Sequence, residues 1–186
     1  MKLKSSNLIV SLLLAALPLC AAAQTPATGT ADYGPHAGER EFTLGGSGGS
    51  NKQFSDSFGG ANFSYGYFFN DTQELSIRQS VNYSNPDVPG ARQEWNGATR
   101  LAFDQHFTST GALRPFVGVN FGGAYGKSVT DTWAAGIEAG LKYYVKPHTF
   151  IYATPEYDWF FRHANGLNQR FNDGQFDWSL GVGFNF

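Results

Sequence analysis

The chain has 186 residues, a formal net charge of -2 and only 15% charged residues, whereas ordinary soluble domains contain about 25%. Its 13 basic residues are balanced by 15 acidic ones, so there is no basic field of the kind that attracts nucleic acid. The 23 glycines and 16% aromatic residues are atypical of a helical bundle, and the length allows one domain or at most a small pair.

Residues 1–23 have the pattern of an export signal. Lys2 and Lys4 precede an apolar run over residues 8–19, and three alanines precede Gln24, as expected for a cleavage site. A lipoprotein signal with Cys20 as the lipidated residue is the alternative, but it is disfavoured because a bulky leucine precedes that cysteine. Cleavage removes the only cysteine, so we expect no disulfide, thiolate catalysis or cysteine metal site.

Residues 24–38 lack an apolar period and predict a flexible N-terminal segment. From residue 39 to 186 the chain alternates instead; for example, Leu75, Ile77 and Val81 are separated by polar residues. A period of two predicts β-strands. The pattern gives eight of them, at residues 39–50, 57–69, 73–84, 94–107, 113–126, 131–145, 149–162 and 175–186.

The connections between the predicted strands alternate in length. Short turns fall at residues 70–72, 108–112 and 146–148, and longer loops at 51–56, 85–93, 127–130 and 163–174. Transmembrane barrels combine short periplasmic turns with longer outer loops and an even strand number. The predicted fold is therefore all-β, an eight-stranded antiparallel up-and-down transmembrane β-barrel. A soluble lipocalin-like barrel is the alternative.

Side-chain volume separates these two barrels. An eight-stranded interior is only just wide enough for ordinary side chains, so the many rings on one face are expected to point outward into lipid. The other face is rich in glycine, serine and asparagine, which fit a narrow lumen. The rings are Phe63, Tyr65, Tyr67, Phe69, Trp95, Phe103, Phe107, Phe121, Tyr125, Trp133, Tyr143, Tyr157, Trp159, Phe161, Phe176, Trp178, Phe184 and Phe186.

Charged residues follow the small-residue face, as expected because a charge facing lipid costs about 2–4 kcal/mol at the bilayer midplane. We predict a lumen charge network of Glu74, Arg78, Arg100, Asp104, Glu138, Lys142, Glu156, Asp158, Arg162 and Asp177. Candidate pairs join Arg78 or Arg100 to Glu138 or Glu156, and Lys142 to Asp158. A static network is favoured because unpaired buried charge is costly; an ion-conducting path is the alternative.

The C-terminal strand carries a resemblance. Apolar residues alternate from Phe176 to the terminal Phe186, and this stretch resembles the last strand of bacterial outer-membrane barrels. By pattern, the mature chain is similar to the small OmpA-like and OmpX-like barrels. The resemblance implies an assembly signal at Gly181, Phe184 and Phe186, read by the barrel assembly machinery. It also implies a monomer surrounded by outer-membrane lipid and lipopolysaccharide, with both termini in the periplasm.

Pro155 departs from this pattern. A proline in mid-strand lacks the ladder donor, which predicts a bulge or a local break in pairing.

An enzymatic alternative rests on His163. The last loop is loosely similar to that of the lipid A deacylases, in which His163 would match the base and Asp177 the orienting acid. Ala164 and Asn165 stand where the nucleophilic serine is needed, and a Ser-His-acid mechanism fails without it. We therefore predict no enzymatic activity.

No cofactor is expected, and the four scattered histidines show no metal-ligand spacing. The predicted role is structural or surface-interactive, with an extracellular ligand contacting loops 85–93 and 163–174 because binding is commonly carried by loops on a rigid scaffold. A narrow ion channel and a lipid-modifying enzyme are the alternatives.

Overall fold

The computed structural model describes residues 32–50, 57–84, 94–126, 132–161 and 174–186, and these belong to one compact unit that starts at Asp32. The predicted export signal, the four predicted loops, Arg162 and His163 lie largely or wholly outside the described residues. Among the described residues, no helix is long and apolar enough to cross a membrane.

Eight antiparallel strands form a closed barrel in which each strand pairs with the next and β1 pairs with β8. This confirms the predicted fold class, and the predicted strand limits agree within two residues. The strands are β1 (Arg40–Ser50), β2 (Ser57–Asn70), β3 (Gln73–Ser84), β4 (Glu94–His106), β5 (Leu113–Gly126), β6 (Thr132–Lys146), β7 (Thr149–Phe160) and β8 (Gly174–Asn185).

The two faces of the barrel differ as the alternation predicts. The outward rings are exposed, from Phe103 at 37% to Phe107 at 62%, and Tyr143 and Tyr157 are half-buried. Polar and charged residues occupy the alternate, inward positions and are largely buried. The outer surface is therefore apolar, as a lipid-facing barrel requires.

Large inward side chains lie opposite glycines on the neighbouring strand. Phe116 of β5 pairs in register with Gly140 of β6, and Phe150 of β7 pairs with Gly183 of β8. A Cβ at either glycine would collide with the facing phenyl ring. The absent side chain is what lets a narrow barrel hold these rings.

Pro155 causes a break in pairing without a bulge. On the β6 side, pairs are present at Glu138–Glu156 and again at Leu141–Ala153 in unchanged register, with none between them. On the β8 side, Pro155 remains paired with Trp178. The proline thus removes ladder contacts on one side while β7 continues as one strand.

The barrel has two chemically different ends. The short turns between β2 and β3, β4 and β5, and β6 and β7 lie at one end, here called the turn end, together with the start of β1 and the end of β8. The opposite end is called the loop end. In barrels of this type the short turns are periplasmic.

Residues 32–39 lie against the turn end, although the sequence predicts flexibility up to residue 38. The Gly34 amide donates to the Pro147 carbonyl at 2.9 Å, and the Gly38 amide donates to the Phe68 carbonyl at 2.8 Å. The Ala37 amide donates to Asp71 Oδ1 at 2.9 Å. These bonds attach the N-terminal strap, defined as residues 32–39, to the β2–β3 and β6–β7 turns.

Candidate functional site

Among the described residues, three basic side chains of the lumen each contact two carboxylates. Arg78 of β3 donates through Nη2 to Asp104 at 2.5 Å and through Nη1 to Glu138 at 2.6 Å. The three residues come from β3, β4 and β6, so the guanidinium bridges non-adjacent strands. Its planar fork suits two carboxylates at once.

Arg100 of β4 forms the second group, nearer the loop end. Its Nη1 contacts Glu156 and lies 2.7 Å from Asp158 Oδ2, both on β7. Asn120 of β5 supports the same group, because its Nδ2 donates to Glu156 at 3.2 Å and to Glu138 at 3.4 Å. The amide therefore links the Arg100 group to the Arg78 group.

Lys142 of β6 forms the third group, near the turn end. Its Nζ lies 2.7 Å from Glu41 and 2.9 Å from Glu74, rather than beside Asp158 as the sequence suggested. Register explains the difference: Asp158 pairs with Gly136, six residues along β6 from Lys142, which corresponds to roughly 20 Å of strand.

Aromatic rings surround the Lys142 ammonium group. Its Nζ lies 5.4 Å from the ring centroid of Phe68, 5.5 Å from that of Phe116 and 5.1 Å from that of Phe150. Such distances are those of cation–π attraction, which strengthens when the cation is desolvated. Lys142 is therefore stabilised by two carboxylates and three rings.

All eight strands contribute to this region, which we call the plug. His106 packs against Phe68 and Phe116 with ring centroids 5.6 and 5.2 Å away, and Asn185 donates to Glu41 at 3.1 Å. Each member is at most 4% exposed. In chain order, one per strand, the plug consists of Glu41, Phe68, Glu74, His106, Phe116, Lys142, Phe150 and Asn185.

Most plug members were missed at the sequence level. Glu41 shares the inward parity of the β1 residues that the alternation assigned to the lumen, so parity alone could have identified it. The inward rings were missed because the narrow interior led us to predict that aromatic side chains point outward. The glycines that make room for Phe116 and Phe150 can be identified only when the strand register is known.

Arg114 of β5 joins the N-terminal strap to the barrel beneath the plug. The side chain is fully buried, and its guanidinium donates to the carbonyls of Tyr33, Ser109 and Asp71, the last at 3.2 Å. Gly34 has a φ of +96°, and a Cβ there would collide with the Arg114 guanidinium. Glycine is thus required where the strap crosses the arginine.

Among the described residues, carboxylates outnumber basic groups toward the loop end. Asp177 of β8 has no basic partner among the described residues; its Oδ2 accepts from Gln175 at 2.6 Å. Together with Glu156 and Asp158 it places three carboxylate oxygens within 4.8 Å of one another. We call these three residues the loop-end cluster. A cavity of about 70 Å³ reaches from Asp177 to Lys142 at the plug.

The predicted assembly signal lies on the closing strand. Phe184 and Phe186 are half exposed on the outer face with stacked rings 6.1 Å apart. Gly181 faces β1 at Gly45, and its Cβ position lies 2.6 Å from the Gly45 Cα. Arg162, the remaining predicted network residue, lies outside the described residues.

No family profile matches the sequence, and no similar sequence is found among curated proteins. Solved structures do match. The outer membrane protein OprG from Pseudomonas aeruginosa has a TM-score of 0.62 at 11% identity, covering 82% of this chain and 98% of OprG. Neisserial surface protein A has a TM-score of 0.62 at 15% identity, covering 80% and 96%. The fold is that of the small outer-membrane barrels.

The barrel is also similar to the N-terminal β-barrel domain of Pseudomonas aeruginosa OprF, with a TM-score of 0.54 at 24% identity, covering 82% of this chain and all of that domain. The match to bacterial outer-membrane proteins supports an outer-membrane location for this barrel. At these identities the likeness establishes the fold, and a particular role has to be argued from the site itself.

Proposed function

We propose that this protein is a closed, non-conducting outer-membrane barrel with a structural or surface-interaction role carried by its outer loops 85–93 and 163–174. The observation that supports closure is the plug, to which every strand contributes a buried side chain. The lumen then serves as a rigid core, and the loops are left as the contact region.

The chemistry of the plug opposes ion passage. A cation that passed the plug would have to displace the Lys142 ammonium from Glu41 and Glu74, leaving charge unpaired in a dry interior, which is strongly unfavourable. An anion would have to pass those same carboxylates. Open aqueous channels belong to barrels of about 16 strands, whereas this barrel has eight.

The remaining partners follow from the outer surface and are part of the proposal. The exposed apolar face would contact outer-membrane lipid and lipopolysaccharide, with the barrel as a monomer. Gly181, Phe184 and Phe186 would be read by the assembly machinery. The proposal includes no enzymatic step, because Asp177 would need a base and a nucleophile, and the sequence around His163 lacks the serine.

Conductance and loop replacement together test this function. The full barrel, refolded in lipid, is expected to give no discrete current steps in a planar bilayer. In nanodiscs it is expected to bind a component of a glycan and matrix-protein array. Replacing residues 85–93 and 163–173 by short Gly-Ser linkers should remove that binding while the unboiled barrel keeps its faster mobility in SDS.

A matched control replaces residues 127–130, the shortest of the outer loops, and is expected to retain binding. Regular current steps from the wild-type barrel would contradict closure and favour the channel. Binding that survives replacement of both long loops would contradict the surface role assigned to them. Release of lipid A acyl chains that is lost in His163→Ala would favour the enzyme instead.

A further inference from the structure

The pairing of β1 with β8, here called the seam, differs from the other pairings of the barrel. Seven pairings join strands that are consecutive in the chain, whereas the seam joins the first strand to the last. Bringing distant chain segments together has an entropic cost that grows with the length of the closed loop. The seam is therefore the pairing that most needs contacts beyond its own ladder.

Glycines face each other across the seam. Gly45 of β1 pairs in register with Gly181 of β8, and a Cβ on Gly181 would lie 2.6 Å from the Gly45 Cα. A glycine inside a strand weakens it, because it provides no side chain to pack. The inner side of the seam thus has two adjacent positions at which the backbone is covered only if a neighbouring strand supplies a side chain.

Tyr152 of β7 covers both glycines. It pairs in register with Gly181, so Tyr152, Gly181 and Gly45 form one row across β7, β8 and β1. A Cβ on Gly181 would lie 2.7 Å from the Tyr152 Cε1 atom, and a Cβ on Gly45 would collide with the Tyr152 hydroxyl oxygen. The side chain therefore extends from β7 across the width of β8 to β1.

Contacts at both ends hold this side chain in place. The Tyr152 hydroxyl lies within hydrogen-bonding reach of the Thr43 side chain of β1, which is buried. On β7, the Phe150 ring lies against Gly183 of β8, and its centroid is 6.4 Å from that of the Tyr152 ring. The contacts of Tyr152 with β1 form only when β1 and β8 are paired, because β8 lies between β7 and β1.

We propose that Tyr152 is the closure residue of this barrel, the side chain that stabilises the closed barrel relative to a sheet whose first and last strands are unpaired. An aromatic ring laid over strand glycines supplies the packing that they lack and helps to fix the register. A shift of β1 by two residues would put Thr43 or Ser47 in the place of Gly45, where a side chain would collide with the tyrosine. This inference concerns assembly of the barrel and is independent of the proposed surface role.

Amide hydrogen exchange, resolved by strand, tests the proposal on the protein refolded in detergent micelles. Tyr152→Leu removes the ring and the hydroxyl. We expect exchange in β1 and β8 to become at least about 10-fold faster, because the seam then opens more often. Exchange in β4 and β5, across the barrel from the seam, should stay close to the wild-type rates.

Phe116→Leu is the matched control. It removes another inward ring that lies over a glycine, Gly140 of β6, away from the seam. Its effect on exchange should be largest in β5 and β6. Tyr152→Phe keeps the ring and loses only the hydroxyl, so it should fold even if Tyr152→Leu does not. Its exchange in β1 and β8 should be about 2- to 10-fold faster than in the wild type, the effect of one hydrogen bond.

The distribution of the effect over the strands decides between closure and ordinary packing. Equal acceleration of exchange in all strands of Tyr152→Leu, or no acceleration, would overturn the proposal. If that variant does not fold, Tyr152→Phe decides. Exchange in β1 and β8 that is unchanged in Tyr152→Phe, or accelerated no more than in β4 and β5, would equally overturn it.

Discussion

The turn end and the loop end of this lumen surround their buried carboxylates with different partners. At the turn end, Lys142 is held by two carboxylates and three rings, and Glu41 and Glu74 have no unpartnered buried oxygen. At the loop end, Glu156 and Asp158 share Arg100, and Asp158 and Asp177 each have one buried oxygen without a hydrogen-bond partner among the described residues.

The difference places carboxylates without an unpartnered buried oxygen at the turn end and carboxylates with one toward the loop end. At the turn end, one ammonium shared by two carboxylates and surrounded by rings holds the strands together. Buried carboxylate oxygens without a hydrogen-bond partner among the described residues contribute less to stability. The stabilising half faces the short turns, and the acidic half faces the outer loops.

The largest effect is expected from Lys142→Met, which leaves Glu41 and Glu74 as uncompensated buried charges. Breaking a buried ion pair from one side costs about 3–5 kcal/mol, so the free energy of unfolding should fall by that amount. Urea titration of the barrel in lipid vesicles measures it. The control is Lys146→Met at the exposed end of β6. Equal free energies of unfolding for the two variants would show that the Lys142 ion pairs do not stabilise the barrel.

Gly140→Ala should have the next largest effect, since its Cβ would enter the Phe116 ring. Overpacking of this kind costs about 1–3 kcal/mol. Gly123→Ala is the matched control, because nothing lies within 4 Å of a Cβ at that position. The same urea titration compares the two variants. An equal loss of unfolding free energy in both would indicate an effect of strand propensity rather than a clash with the Phe116 ring.

Arg114→Met should release the N-terminal strap without unfolding the barrel. The guanidinium donates to carbonyls of the strap and of two turns, and hydrogen bonds from charged groups contribute about 1.5–3 kcal/mol. Amide hydrogen exchange in the strap should then be at least about 10-fold faster, with exchange in β5 unchanged. Arg40→Met, at an exposed site, should leave amide exchange in the strap and in β5 unchanged. Fast amide exchange in the wild-type strap would contradict its attachment by Arg114.

The smallest effect is expected from Asp177→Asn. Removing a buried carboxylate that has no basic partner among the described residues should leave the free energy of unfolding unchanged or raise it by up to about 1 kcal/mol. Glu41→Gln, at the opposite end, should lower it by about 1–3 kcal/mol, because it weakens the bonds to Lys142 and Asn185. Equal losses in the two variants would remove the distinction between the halves.

Alternation along the chain was sufficient to predict the eight strands, their limits, the outward rings and the inward position of the charged residues. Each of these depends on the two-residue period of a strand and on the cost of placing charge in lipid, and both are local properties of the sequence. Parity also places Glu41 in the lumen. It says nothing about which lumen residues meet.

Only the tertiary structure decided the pairing, because partners in the lumen come from strands far apart in the chain and are set by register. Glu41 and Lys142 are 101 residues apart, and Lys142 and Asp158 share a face yet lie far apart along the barrel. Register likewise places glycines opposite Phe116 and Phe150 and brings Asp177 of β8 to Glu156 and Asp158 of β7. The sequence determined the barrel and the contents of its lumen; closure of the sheet and its register determined which of those residues meet.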